Sequence, residues 1–381
     1  MKLETRLPGV GTTVFTQMSQ LAREHGAINL GQGFPDFETP ASLRTALAQA
    51  VEAGENQYAP MAGLPVLREQ IALQGERLYG RRVDPDTEVT VTSGATEAVF
   101  AAIACTVHAG EEVIVLDPCY DCYEPAIRVA GAKPVHVPLV LADFSVDWQR
   151  VADAVTPATR MIIINSPHNP SGAVFSESDL DALAELAERE DLLVLSDEVY
   201  QHIIYDGRMH QSVSRRPQLA ARSFMVGSFG KTWHCTGWKV GYCVAPEALS
   251  AEFRKLHQYL TFCTFRPAQC AFAEVMAKNQ QHLHELAAFY QAKRDHFRKL
   301  LAPSRFKLAE VAGSYFQLVD YSAVFEGTDV ECCHWLIREA GVAAIPVSAF
   351  CETAPDAHLI RLCFAKNDVT LEAAAQRLCA L

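Results

Sequence analysis

The chain has 381 residues, 49% hydrophobic and 20% charged, close to the averages of folded globular proteins and without a disordered or collagenous signature. That length is more than one core comfortably fills, so two linked domains are expected. A net charge of −12 argues against a nucleic-acid or anionic-membrane surface, which needs surplus Lys and Arg, and suits a soluble enzyme that gathers positive charge locally.

The N-terminal stretch MKLETRLPGVGTT carries charges and no following apolar run, unlike a signal peptide. The longest apolar run, AVFAAIAC at 98–105, falls far short of the ~20 residues that span a bilayer. No membrane partner and a cytoplasmic location are therefore expected. Twelve cysteines without an export signal read as reduced, largely buried thiols. CYDC at 119–122 has C-x-x-C spacing and Cys332 adjoins Cys333, yet no second spaced pair completes a zinc set, so no metal is expected.

From residue 88, short β-branched runs alternate with helical stretches: EVTVTS (88–93), EVIVLD (112–117), KPVHVPL (133–139), RMIIINS (160–166), LLVLSDE (192–198), SFMVGS (223–228) and VGYCVA (240–245). Runs apolar on both faces, such as MIIIN, are how strands read when helices cover both sides of a sheet. TEAVFAAIACTV and SESDLDALAELAERE supply helices, the second opened by a capping-box pair, Ser176 and Asp179. The pattern predicts an α/β fold around a mostly parallel, seven-stranded sheet. Beyond about 281 the texture changes. HLHELAAFYQAKRDHFRKLLA has helical spacing until Pro303, and GSYFQLVDY, VAAIPV and HLIRLCFA read as strands around the helical segment VECCHWLIREA. Residues 40–280 are thus expected to form a large domain, and 1–39 with 281–381 a smaller α+β domain.

Ligands of a parallel sheet gather at the C-terminal ends of its strands, and five such ends carry suitable groups: SGATEA, DPCYDCY, NSPHNPSG, SDEVY and SFGKT. GSFGKT looks like the tail of a phosphate-binding P-loop. The glycine that motif needs five residues before Gly230 is Met225, however, which removes the flexible cradle. Lys231 fits better as an amine that condenses with an aldehyde cofactor; the alternative is a lysine that merely ends a strand. Asp197 is a costly buried carboxylate unless paired with a cation such as a protonated pyridine nitrogen, the alternative being a helix cap. Tyr200 and Asn169 either hydrogen-bond a phenolic oxygen or serve turn chemistry, and Tyr120 either stacks on a ring or fills core. Gly94, Ala95 and Thr96 open a helix directly after a strand, and Ser228 and Lys239 add a hydroxyl and a cation, a set suited to phosphate. Small residues at SGAT also permit close helix packing.

With these motifs the chain resembles the fold-type I, pyridoxal 5′-phosphate (PLP) dependent aminotransferases of class I/II. NLGQGFPDF, NQYAPMAGLPVLREQIA, TSGATEA, DPCYDCYEP, NSPHNPSG, SDEVY, SFGKTWHCTGWKVGY and IRLCFAK carry the likeness from about residue 29 to 366. Within the family, NLGQGFPDF, DCYEP and TGWKVGY are most similar to bacterial methionine aminotransferases and kynurenine/glutamine aminotransferases. The resemblance implies that Lys231 holds the cofactor covalently and shuttles a proton, while Asp197 pairs with the pyridinium nitrogen. It implies contacts of Tyr200 and Asn169 with the phenolic oxygen, stacking by Tyr120, and a phosphate site at Gly94, Ala95, Thr96, Ser228 and Lys239. Arg361 would clamp the substrate α-carboxylate beside Asn169 and the Gly33 backbone. Tyr58 would reach the phosphate of a neighbouring subunit, making a homodimer with shared sites.

The same resemblance implies a donor pocket lined by Phe15, Tyr58, Tyr120, Tyr123 and Phe262 of the partner subunit. Its aromatic walls suit methionine, phenylalanine, tyrosine or kynurenine as amino donor, with a 2-oxo acid as acceptor in a ping-pong cycle. For Phe15 and Phe262, packing at the dimer interface is the alternative. One departure is Lys239, where many relatives carry arginine; it neutralises phosphate as a point charge rather than as a fork. A cysteine-conjugate β-lyase of the same fold is the alternative reaction, and Arg361, by retaining the α-carboxylate, favours transamination.

Overall fold

The computed structural model describes residues 4–355 and 357–381. A short strand, β1 (Ile28–Asn29), precedes the main sheet, whose strands are β2 (Val89–Thr92), β3 (Glu112–Asp117), β4 (Lys133–Pro138), β5 (Thr159–Asn165), β6 (Leu193–Asp197), β7 (Ser223–Ser228) and β8 (Gly241–Val244). Their spatial order is β2-β8-β7-β6-β5-β3-β4. Strands β3 to β7 run parallel, and β8 lies antiparallel between β2 and β7. The seven apolar runs are these seven strands.

Period-two alternation explains why the runs lack a polar face. Ile162, Ile164 and Val194 enter one apolar cluster, while Met161, Ile163 and Leu195 enter another on the opposite face. Each such side chain, wholly buried, stabilises the fold by about 1.5–3 kcal/mol relative to exposure. The helix Ala95–Thr106 contributes Ala98, Val99 and Ile103 to the second cluster, and the helix Glu177–Arg189 contributes Leu180, Leu183 and Leu186 to the first. The capping box opens that second helix as expected: Ser176 Oγ accepts from Asp179 N–H, and Asp179 Oδ2 accepts from Ser176 N–H at 2.8 Å.

The C-terminal portion forms a third apolar cluster around β9 (Lys307–Leu308), β10 (Phe316–Asp320), β11 (Val342–Ala343), β12 (Ile345–Pro346) and β13 (Leu359–Cys363). An antiparallel sheet has the order β12-β13-β10-β9, and β1 pairs in parallel with β11. The run VAAIPV, expected as one strand, is split between these two sheets at Ala344. Pro346, which has no N–H to donate, lies on an edge strand of the four-stranded sheet. The helix Gln280–Leu301 stops just short of Pro303. All twelve cysteines are free, and no helix among the described residues is long and apolar enough to cross a membrane.

Register aligns the strand ends that matter. Asn165 closes β5 opposite Asp197, the last residue of β6, and Ser228 closes the adjacent β7. These ends, the start of the helix Ala95–Thr106 and a wall from β10 and β13 enclose one cavity of about 480 Å³.

Candidate active site

Lys231 lies on the four-residue helix Phe229–Thr232, directly after β7. Its Nζ donates to the Tyr315 hydroxyl at 3.1 Å and to Gly33 O at 3.4 Å. The Tyr315 hydroxyl in turn donates to Gly33 O at 2.7 Å, so the amine is held by a residue just before β10 and by the N-terminal segment. Burial pulls its pKa down to about 8, with the charges of Arg361 and Lys239 acting in the same direction and Asp197 opposing them. An amine so tuned is a usable nucleophile and base near neutral pH.

Asp197 is 5% exposed. Its Oδ2 accepts from the Tyr123 hydroxyl at 2.7 Å and its Oδ1 from Val199 N–H at 3.3 Å. Burial raises its pKa; Tyr123, the Val199 N–H and the more distant charge of Lys231 counter that rise. No salt bridge joins it to a protein cation among the described residues, so the carboxylate suits a cationic ring nitrogen. Asn165 supports the arrangement, donating from Nδ2 to Asp197 O at 2.8 Å and accepting the Asn169 N–H at 2.8 Å.

A turn after β2 delivers Ala95 and Thr96 to the cavity at the start of a twelve-residue helix. Gly94 has φ +86°, and a Cβ there would sit 3.1 Å from both Cε and Nζ of Lys239. The helix N-terminus, the Ser228 hydroxyl and the Lys239 ammonium thus converge, the donor set that a phosphate monoester requires.

Arg361, on β13, is 1% exposed. Its Nη1 donates to Asn169 Oδ1 and its Nη2 to Gly31 O, both at 2.7 Å. The guanidinium lies 4.0 Å from the Phe316 ring centroid, 5.1 Å from that of Phe350 and 5.3 Å from that of Phe15. Its Nε is buried without a hydrogen-bond partner, and burial lowers its pKa. A buried arginine held by neutral acceptors is suited to a carboxylate from outside the chain.

Of the residues expected at the site, Phe15, Gly33, Gly94, Ala95, Thr96, Tyr120, Asn169, Asp197, Tyr200, Ser228, Lys231, Lys239 and Arg361 line this one cavity. Tyr58 and Phe262 do not; they are 77% and 45% exposed, with ring centroids 5.1 Å apart in edge-to-face contact. Tyr123 corrects the expectation of a donor-pocket wall. It is buried behind Asp197, because its hydroxyl is spent on that carboxylate. Tyr315, Asn165, Gly31 and Asp121 were not anticipated. Tyr315 stood inside a run legible only as a strand, and nothing local marks Gly31 O as the acceptor for Arg361.

The chain matches the family described as aminotransferase class I and II over residues 25–378. It belongs to that family. It is 52% identical over 375 residues to methionine aminotransferase of Escherichia coli, covering 98% of this chain and 97% of that one. It is 36% identical to kynurenine–oxoglutarate transaminase 1 of Mus musculus, covering 98% and 96%. A solved Escherichia coli structure identified with a methionine aminotransferase function superimposes with a TM-score of 0.98 at 51% identity, covering all of both chains. The protein is therefore a transaminase of PLP-dependent fold type I. The site fits that cofactor: a tuned amine for its aldehyde, an unpaired buried carboxylate for its ring nitrogen, and a helix N-terminus with Lys239 for its phosphate.

Proposed function

We propose that this aminotransferase draws its amino group from an apolar L-amino acid, methionine together with aromatic amino acids or kynurenine, and passes it to a 2-oxo acid. The observation that carries this reading is Arg361, buried, held by Asn169 and Gly31, and ringed by Phe15, Phe316 and Phe350. It offers a fork for an α-carboxylate beside apolar walls. The names of the similar Escherichia coli and mouse enzymes support the same donors.

PLP, when bound, supplies an electron sink that lets the substrate's α-proton leave. The chain's own residues do the rest. Lys231 would take that proton from the α-carbon on its Nζ and give it to the cofactor carbon that carries the exchanged nitrogen. Asp197, steered by Tyr123, would keep the ring nitrogen protonated. Tyr200 and Asn169 would hold the phenolic oxygen, Tyr120 would stack on the ring, and Gly94, Ala95, Thr96, Ser228 and Lys239 would hold the phosphate. Arg361, with Asn169 and the Gly33 backbone, keeps the α-carboxylate in place.

We assign the exposed pair Tyr58 and Phe262, with Phe265, nearby in the chain and 55% exposed, to a homodimer interface. There Tyr58 serves the other subunit's phosphate and Phe262 its donor pocket. We also assign residues 40–280 to a large domain and 1–39 with 281–381 to a small one, and the whole to the cytoplasm. An apolar cluster drawn mostly from residues 1–39 and 281–381, and the β1–β11 pairing, support the division.

Steady-state kcat/KM values for methionine, phenylalanine, kynurenine and aspartate with a common 2-oxo acid test the donor class. Any of the first three is expected to exceed aspartate. Aspartate ranking first would refute the reading.

A further inference from the structure

Asp121 follows Tyr120 on the loop between β3 and the helix Tyr123–Val129, and it lines the same cavity as Arg361. The cavity's cations among the described residues are Lys231, Lys239 and Arg361, each already engaged with cofactor or α-carboxylate in the reading above. Its carboxylates are Asp197, which faces the ring nitrogen in that reading, and Asp121. The rest of the lining carries no charge: Phe15 and Phe316 flank Arg361, and Thr13, Thr16 and Gln32 add neutral polar groups. Burial pushes the Asp121 carboxyl up, and Arg361 is the charge that pulls it back. The cavity therefore holds an acid within electrostatic reach of Arg361 and has no spare base.

We propose that Asp121 is a specificity-determining residue whose carboxylate places negative charge beside the donor pocket and rejects substrates that carry a second carboxylate. A side-chain carboxylate entering this half-buried space would meet a like charge where screening by water is reduced, and no second cation would compensate. Neutral side chains such as a thioether or a phenyl ring meet no such penalty. The inference rests on the assignment of Arg361 to the α-carboxylate. It extends the donor class from a preference for apolar groups to an active exclusion of acidic ones, on both the amino-acid and the oxo-acid side.

The test uses the PLP-loaded enzyme and two ligands without an amino group, so binding is read without turnover. Glutarate carries two carboxylates, and 4-(methylthio)butanoate carries one. Their dissociation constants are measured by calorimetry for wild type, Asp121→Asn, Asp121→Ser and Asp121→Glu, with the cofactor absorbance band confirming an intact site. Neutralising Asp121 is expected to tighten glutarate about tenfold or more while moving the monocarboxylate by less than about threefold. Asp121→Glu is expected to keep the wild-type ratio. Equal shifts for both ligands in Asn and Ser variants, no shift in either, or a Glu variant that behaves like Asn would overturn the proposal. The donor assignment fails separately, if methionine does not react with wild-type enzyme, and the glutarate comparison still judges Asp121.

Discussion

The Tyr123 hydroxyl donates to Asp197 Oδ2 at 2.7 Å, joining residues 74 positions apart in the chain. This makes Tyr123 the residue that orients the carboxylate rather than a wall of the donor pocket. A hydrogen bond to a charged group contributes about 1.5–3 kcal/mol, so Tyr123→Phe is expected to lower kcat about tenfold to a hundredfold. The KM for methionine should change little. A large rise in KM with kcat preserved would instead place Tyr123 against the substrate.

The amine of Lys231, at a pKa of about 8, gives the cofactor-free protein a specific pH response. Burial disfavours the charged form, so the neutral amine that captures an aldehyde accumulates as pH rises through about 8 and then levels off. The rate of PLP recapture by the apo form should follow that curve. A rate still climbing steeply above pH 9 would mean an ordinary exposed lysine. Lys231→Ala should abolish both the covalent band and turnover.

Gly94 combines a positive φ with a close approach to Lys239, and alanine fits neither. Backbone strain of this kind costs about 1–3 kcal/mol, in addition to displacing the Lys239 side chain. Gly94→Ala should therefore weaken PLP retention about tenfold or more in an equilibrium titration, with donor KM affected less. Unchanged retention would remove this turn from the phosphate site.

Five histidines are held neutral by burial: His168 and His210 are pulled down to about 4, His202 and His234 to about 3, and His282 is lowered too. In the unfolded chain they titrate near 6.5, so below that pH the unfolded state binds more protons and stability falls with acidification. Glu198, raised by burial to about 7, works in the opposite direction between 7 and 4.5, and so does His136, whose pKa its bond to Asp117 raises against burial, two groups against five. The melting temperature of the PLP-saturated enzyme should drop from pH 7 to pH 5. An equal or higher value at pH 5 would contradict this balance.

What the sequence made legible follows from locality. The strands β5 and β6 could be read because burial on both faces leaves an unbroken apolar run, and Lys231 and Asp197 because each closes or follows such a run. Pairing partners were not legible. The antiparallel insertion of β8, the split at Ala344, and the hydrogen bonds of Lys231 to Tyr315 and of Arg361 to Gly31 join residues 84 and 330 positions apart in the last two cases. No spacing rule reaches that far. The family resemblance supplied the roles of Arg361 and Asn169, and the geometry adds why they act together: the amide oxygen of one aims the guanidinium of the other.

Transfer of an amino group from methionine through Lys231 and bound PLP is tested most directly by the visible absorbance of the purified, PLP-loaded protein, before and after L-methionine with no oxo acid present. The yellow band should fade with methionine and return when a 2-oxo acid is added. A band that methionine leaves untouched would contradict the donor assignment.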